Sequence, residues 1–144
     1  LRMSRGLGDV YKRQQNRSDS KRFNIVYSTM LVTDDKELED AKAQLSFRLV
    51  DSPLSIKEEI GMTKEDELKI KSALREGGPQ LAGKFVKEEW VEEFTLTGNL
   101  ESIREELFRF FEAGIDEYQL PVYELQSAEK DIERVATLFN GKLS

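Results

Sequence analysis

The run Phe23-Asn-Ile-Val-Tyr-Ser-Thr-Met-Leu31 is rich in β-branched and aromatic residues and holds neither Gly nor Pro, so it reads as a strand. Ile25, Tyr27, Thr29 and Leu31 fall on one side of the pleat and Val26 and Met30 on the other, so both faces ask for apolar cover. Strands of that kind belong to parallel sheets flanked by helices. Two later runs read as strands as well: Phe94 to Thr97, turned at Gly98, and Glu117 to Tyr123, in which Pro121 needs a strand end or an unpaired position.

The segments between these strands carry helical spacing. Asp34 and Asp35 supply an N-cap and first-turn charge for a helix with Leu38, Ala41, Leu45 and Leu49 on one stripe. A helical excursion follows from Pro53 to Ile60, closed by Gly61. Thr63 then caps a helix with Glu67 in its first turn and Leu68, Ile70, Ala73 and Leu74 as its buried stripe. Gly77-Gly78-Pro79 is expected to stop that helix, and Leu81 to Phe94 to form two short helical pieces with Leu81, Phe85, Trp90 and Phe94 as the bulky positions. A helix from about Leu100 to Ala113 presents Leu100, Ile103, Leu107, Phe110 and Phe111, and Gly114 ends it. Ser127 is expected to cap a last helix with the stripe Ile132, Val135, Leu138 and Phe139, terminated at Gly141. Strands joined through helices lack hairpin links, so the expectation is an α/β fold with parallel pairing and right-handed crossovers. Three such strands leave two open edges, which suits a piece of a larger sheet. The length of 144 residues fits the final third to half of a (β/α)8 barrel, which takes roughly 250 residues.

Composition removes several kinds of chemistry. Cys and His are both absent, so disulfides, thiolate nucleophiles, the usual zinc sites and histidine bases are excluded. No apolar run approaches the ~20 residues that span a bilayer and no signal-peptide block opens the chain, so no membrane partner is expected and the cytoplasm is the default location. The net charge of −6 speaks against a nucleic-acid partner. Residues 1–14 (Leu-Arg-Met-Ser-Arg-Gly-Leu-Gly-Asp-Val-Tyr-Lys-Arg-Gln) show no periodicity and resemble a translated sequencing-adapter tail, so they are set apart as an artefactual or disordered segment, leaving 15–144 as the domain. Without Arg2, Arg5, Lys12, Arg13 and Asp9, 18 basic residues face 27 acidic ones, a net charge of −9. The basic start therefore does not argue for an RNA- or DNA-binding arm. A first residue of Leu rather than Met is what a chain cut from something longer would show.

The order of a strand with an acidic turn (Phe23 to Asp35), a helical insertion, Glu92-Glu93-Phe94-Thr95-Leu96-Thr97-Gly98-Asn99-Leu100-Glu101, and then Phe111-Glu112-Ala113-Gly114-Ile115-Asp116-Glu117-Tyr118-Gln119-Leu120-Pro121 resembles the C-terminal part of luciferase-like oxidoreductases. That superfamily includes deazaflavin (coenzyme F-420)-dependent enzymes such as methylenetetrahydromethanopterin reductase, and flavin monooxygenases. The resemblance runs from about Asn16, where Asn16 to Phe23 is similar to the polar turn before a sixth barrel strand, to the end of the chain. It implies a partial (β/α)8 TIM barrel, roughly the last three βα units with a helical insertion. It also implies deazaflavin or FMN as cofactor of the complete enzyme, an organic small-molecule substrate, and a surface for a homodimer. The piece alone would be inactive and bind no cofactor. No catalytic residue is carried over, because the cofactor-phosphate and much of the substrate chemistry of such enzymes lie on earlier strands. Where the family often places Pro after the Gly-Thr of its seventh-strand turn, this chain has Thr97-Gly98-Asn99-Leu100, a departure that bears on any ligand contact specific to that turn.

Barrel sites gather at the carboxyl ends of strands, which nominates Val32 to Asp34, Thr97 to Asn99 and Val122 to Glu124 as the lip, with Thr97, Gly98, Asn99 and Tyr123 as candidate cofactor contacts. Each has a plainer reading. Asn99 suits an N-cap, and Asp34 with Asp35 suits a cap beside a solvated charge more simply than an acid/base pair. Glu88, Glu89, Glu92 and Glu93 have a spacing that could chelate a hard cation, yet a solvated face explains them and no metal site is assigned. Trp90, Tyr118 and Tyr123 could line a flat ring, although core packing is the commoner fate of such residues. Gly77-Gly78-Pro79 lacks the Lys and Ser/Thr of a phosphate loop. A stand-alone α/β interaction module without cofactor is the alternative reading.

Overall fold

The computed structural model describes residues 23–140; the expected tail 1–14, the turn from Asn16 and the expected stop at Gly141 lie outside the described residues. In chain order the elements are β1 (Val26–Ser28), β2 (Leu31–Val32), α1 (Asp35–Asp51), α2 (Leu54–Glu59), α3 (Lys64–Gly83), α4 (Glu88–Phe94), β3 (Leu96–Thr97), α5 (Leu100–Glu112), β4 (Glu117–Gln119), a 3-10 turn (Leu125–Ser127) and α6 (Ala128–Asn140). They form two compact units, one from Met30 to Gly98 and one from the residues up to Thr29 together with those from Asn99 onward.

In the Met30–Gly98 unit, β2 and β3 pair in parallel with Leu31 opposite Leu96 and Val32 opposite Thr97. Asp34 caps α1 by accepting from the Glu37 backbone N–H at 2.8 Å, and Glu37 reaches back to accept from the Thr33 N–H and hydroxyl, also at 2.8 Å. These bonds occupy orphan donors at the entry to the helix. The helices bury Ala41, Leu45, Leu49, Ile70, Trp90 and Val91 in one core. Each large aliphatic side chain there contributes about 2 kcal/mol through the apolar area it removes from water. Leu68, expected on that stripe, is exposed instead; Glu67 takes the inward position beside it. Thr63 caps α3 as expected, but its reciprocal partner is Asp66.

The glycine pair breaks α3 into two helical stretches, as expected. Gly78 leaves helical geometry (φ 70°, ψ −165°), and the helix resumes through Pro79 to Gly83. A Gly at positive φ breaks the axis at no steric cost, and Pro is well suited to opening the turn that follows. Leu81 lies in the short helical piece after the break and α4 is the second such piece, as expected, while Phe85 sits in the connecting turn, partly exposed.

In the other unit, β1 and β4 pair in parallel, with Val26, Tyr27 and Ser28 opposite Glu117, Tyr118 and Gln119. Asp116 strengthens the start of this ladder, its carboxylate accepting from the Ile25 N–H at 2.9 Å while its own N–H donates to the Ile25 carbonyl at 2.9 Å. Ile103, Leu107, Phe110, Ile115 and Leu138 are buried. Ile132 and Phe139, expected on the core stripe of the last helix, are substantially exposed.

Both long strand readings shorten. Residues 23–31 yield β1 and, after a break at Thr29 and Met30, the start of β2. The run to Tyr123 keeps only Glu117–Gln119, ending two residues before Pro121, which cannot donate to a ladder. Parallel pairing is as expected, but consecutive barrel strands pair in sequence order, whereas here Val26–Ser28, in the first described strand, pairs with Glu117–Gln119, in the last described one.

Candidate functional site

The lip residues fall in the two units and are described within each. In the Met30–Gly98 unit, Gly98 donates its N–H to the Val32 carbonyl at 3.0 Å and takes φ 131°, a turn that favours glycine. The Thr97 hydroxyl lies 2.7 Å from that of Thr95, which in turn donates to the Val91 carbonyl at 2.8 Å. Asp34 is the cap of α1, and Asp35 is an exposed first-turn charge beside it. These contacts fit the structural reading of the pair.

Asn99, at the start of the other unit's helical part, caps α5 by accepting from the Ser102 N–H at 2.9 Å. Val122, Tyr123 and Glu124 are exposed in irregular chain between β4 and the 3-10 turn. The Ser127 hydroxyl donates to the Glu124 carbonyl at 2.9 Å, a bond of the 3-10 turn that leads into α6.

Of the three aromatic candidates, two are committed to packing. Trp90 is buried and its indole N–H donates to the Ile60 carbonyl at 3.0 Å, with the Lys87 ammonium 4.8 Å from the ring centre. Tyr118 stacks at a tilt 6.3 Å from Tyr27, and Tyr27 meets Phe110 of α5 edge-on at 4.9 Å. Burial, reinforced by the negative charge of Glu106, pushes the Tyr27 phenol up to about 12; burial likewise raises Tyr118. Tyr123 alone of the three stays half exposed. Glu88, Glu89 and Glu93 are exposed on α4, and among the described residues no group of three carboxylates could hold a metal ion. Nor is any described helix long and apolar enough to cross a membrane.

Two groupings escaped the sequence reading. The Glu67 carboxylate, nearly buried, gathers the ammonium groups of Lys57 at 3.3 Å, Lys64 at 3.1 Å and Lys71 at 2.5 Å. Hydrogen bonds from Lys71 and Lys64 hold its carboxyl down at about 2. The i,i+3 and i,i+4 spacing to Lys64 and Lys71 is legible, but the approach of Lys57 from α2 is tertiary. The second grouping is the uncovered face of the β1–β4 ladder. Its exposed row carries Val26 and Ser28 on one strand and Glu117 and Gln119 on the other, and the Asn24 carboxamide donates to Glu117 at 3.0 Å. Period-2 alternation places Val26 on this face; Ser28 and Gln119 are neither aromatic nor charged, so the sequence carries no comparable signal for them.

Parallel strands alternating with helices define a helix-rich α/β protein. The sequence matches no family model and none of the curated proteins with which it was compared. Among solved structures, the chain is similar to coenzyme F-420-dependent tetrahydromethanopterin reductase from Methanopyrus kandleri, with 24% identity and a TM-score of 0.63 over 78% of this chain and 33% of that one. The chain thus spans about a third of the length of that enzyme, and what the two share at this identity is the fold.

Proposed function

We propose that the chain is the C-terminal part of a luciferase-like, deazaflavin-dependent oxidoreductase that transfers a hydride between its cofactor and an organic substrate. The observation that carries this reading is the alignment of most of the chain with a third of a coenzyme F-420-dependent reductase. In the complete protein the missing βα units would close a (β/α)8 barrel and supply the cofactor-phosphate contacts. Thr97, Gly98, Asn99 and Tyr123 would lie along its lip, near the strand ends where such barrels hold their ligands.

The residues present fit a share of such a site. Trp90 and Tyr118 are spent on packing, but exposed hydroxyl and carboxamide groups at the β1 and β4 ends suit the polar edge of a heterocycle. When bound, a deazaflavin supplies the hydride-carrying carbon, and the protein's part is to orient the reacting faces and exclude water. FMN in place of deazaflavin, a homodimer and a cytoplasmic location belong to the same proposal.

Recovering the reading frame upstream of residue 15 tests it. About five further strand-helix units are expected ahead of Asn16, and the isolated chain should be inactive. A natural start near Asn16 would favour the second reading, a stand-alone α/β interaction module.

A further inference from the structure

Helix α5 buries Ile103, Leu107 and Phe110, and the side turned away from them carries aromatic rings as well as charges. Phe108 stands 43% exposed there, with the Arg104 guanidinium 5.4 Å from its ring centre. Its ring meets Phe111 edge-on at 6.3 Å, and Phe111 meets Phe139 of α6 at 5.9 Å, so an aromatic run crosses from one helix to the other. Phe139 is again 43% exposed. Contiguous rings at a surface mark an interaction site, which singly scattered apolar residues do not. Glu112 is exposed at the end of the same helix, and among the described residues neither Arg104 nor Glu112 is committed to an ion pair.

Phe108 lies midway between the two charges, four residues from each, so Arg104, Phe108 and Glu112 follow one another along a single ridge of the helix. Opposite charges placed equally far from a central residue make that ridge complementary to itself. A second copy, antiparallel and turned about a two-fold axis through Phe108, sets Arg104 against Glu112 of the partner subunit and Glu112 against the partner's Arg104. The two Phe108 rings meet on the axis and Glu105 faces the partner's Phe111, so no like charges are opposed. We infer that this face of α5 is a two-fold contact between copies of this chain, with Phe108 at its centre and two Arg104–Glu112 ion pairs flanking it. An aromatic anchor at the centre supplies contact area, and charges at the rim fix the orientation. A helix presented to an unrelated partner has no need of this symmetry. The inference gives a homodimer its surface without resting on the oxidoreductase reading, because the helices of a β/α barrel form its outer ring.

Sedimentation velocity of the 144-residue chain tests it, over about 10–500 µM, a range suited to a contact of a few residues a side. The chain should show a monomer–dimer equilibrium. Arg104→Glu and Glu112→Arg each bring like charges together at both ends of the contact, and each should raise the dimer Kd at least tenfold. In an equimolar mixture of these two variants opposite charges meet again at both ends, so Kd should return to within threefold of the parent. Phe108→Ala removes the central ring and should also raise Kd at least tenfold. Charge variants that dimerise within twofold of the parent, or a mixture no tighter than its components, overturn the inference. So does a parent that stays monomeric across the range, or one that forms open-ended oligomers indifferent to Phe108→Ala, the behaviour of exposed sheet edges. Should a charge variant fold poorly, salt gives a second measurement on the parent: about 1 M NaCl screens the pairs and should raise Kd several-fold, and a salt-independent Kd overturns the inference. The function proposal stands apart from all of these outcomes, since coenzyme binding by the complete protein tests it.

Discussion

The Tyr118 hydroxyl donates to the Thr29 carbonyl at 2.8 Å, joining β4 to the end of β1 across 89 residues of sequence. That bond sits where the ladder stops, so it holds the two strand ends together after backbone pairing has ceased. Tyr118→Phe keeps the ring and removes the donor, and should cost about 1 kcal/mol in urea unfolding. Tyr118→Ala also removes the ring from its contact with Tyr27 and should cost about 3 kcal/mol. Equal losses for the two variants would show that the hydroxyl carries the whole effect.

The same pair predicts an alkaline limb. The Tyr27 phenol titrates at about 12 when folded against an ordinary value of 10, with Tyr118 raised in the same direction. Each folded-state shift favours the neutral phenol, so the stability it provides is complete below pH 10 and is lost as pH rises toward 12. Thermal melts between pH 9 and 12 should fall along this limb, and Tyr27→Phe should flatten it.

Glu67 predicts the opposite limb. Its carboxyl ionises at about 2 when folded against an ordinary 4.5, chiefly because Lys71 and Lys64 hold the carboxylate. Stability from this hub is present above pH 4.5 and lost as pH falls toward 2. Glu67→Gln should lower the melting temperature at pH 7 and show a shallower acid dependence between pH 4.5 and 2. A variant with the parent's acid slope would place that limb elsewhere.

Gly83 sets the approach of α3 to α1. A Cβ there would lie 3.0 Å from the Ala43 backbone nitrogen and 3.2 Å from its Cα. Because backbone atoms of a packed helix cannot swing aside, Gly83→Ala should destabilise by about 1–3 kcal/mol despite the better helix propensity of Ala. Unchanged or raised stability in denaturant melts would contradict this packing account.

Local chemistry made much of this fold legible. The caps at Asp34, Thr63 and Asn99 and the turns at Gly61 and Gly98 depend on residues within a few positions, and the structure places them as the sequence implies. Parallel pairing followed from helices lying between strands. What failed depended on distant partners. Phe23 to Leu31 looked like one strand because nothing within it marks the break at Thr29, whose carbonyl is held by a tyrosine far along the chain. Leu68, Ile132 and Phe139 sit at apolar helical spacing yet are exposed, because a stripe records which side a helix offers and not whether a partner covers it. For the site, positional reasoning named the lip, whereas Ser28 and Gln119 became visible only once the ladder register was known.

Fluorescence titration of the complete parent protein with coenzyme F-420, alongside the 144-residue chain alone, tests the central claim most directly. Saturable binding by the parent and none by the isolated chain is the predicted result. A parent that leaves the coenzyme fluorescence unchanged at millimolar protein would contradict it.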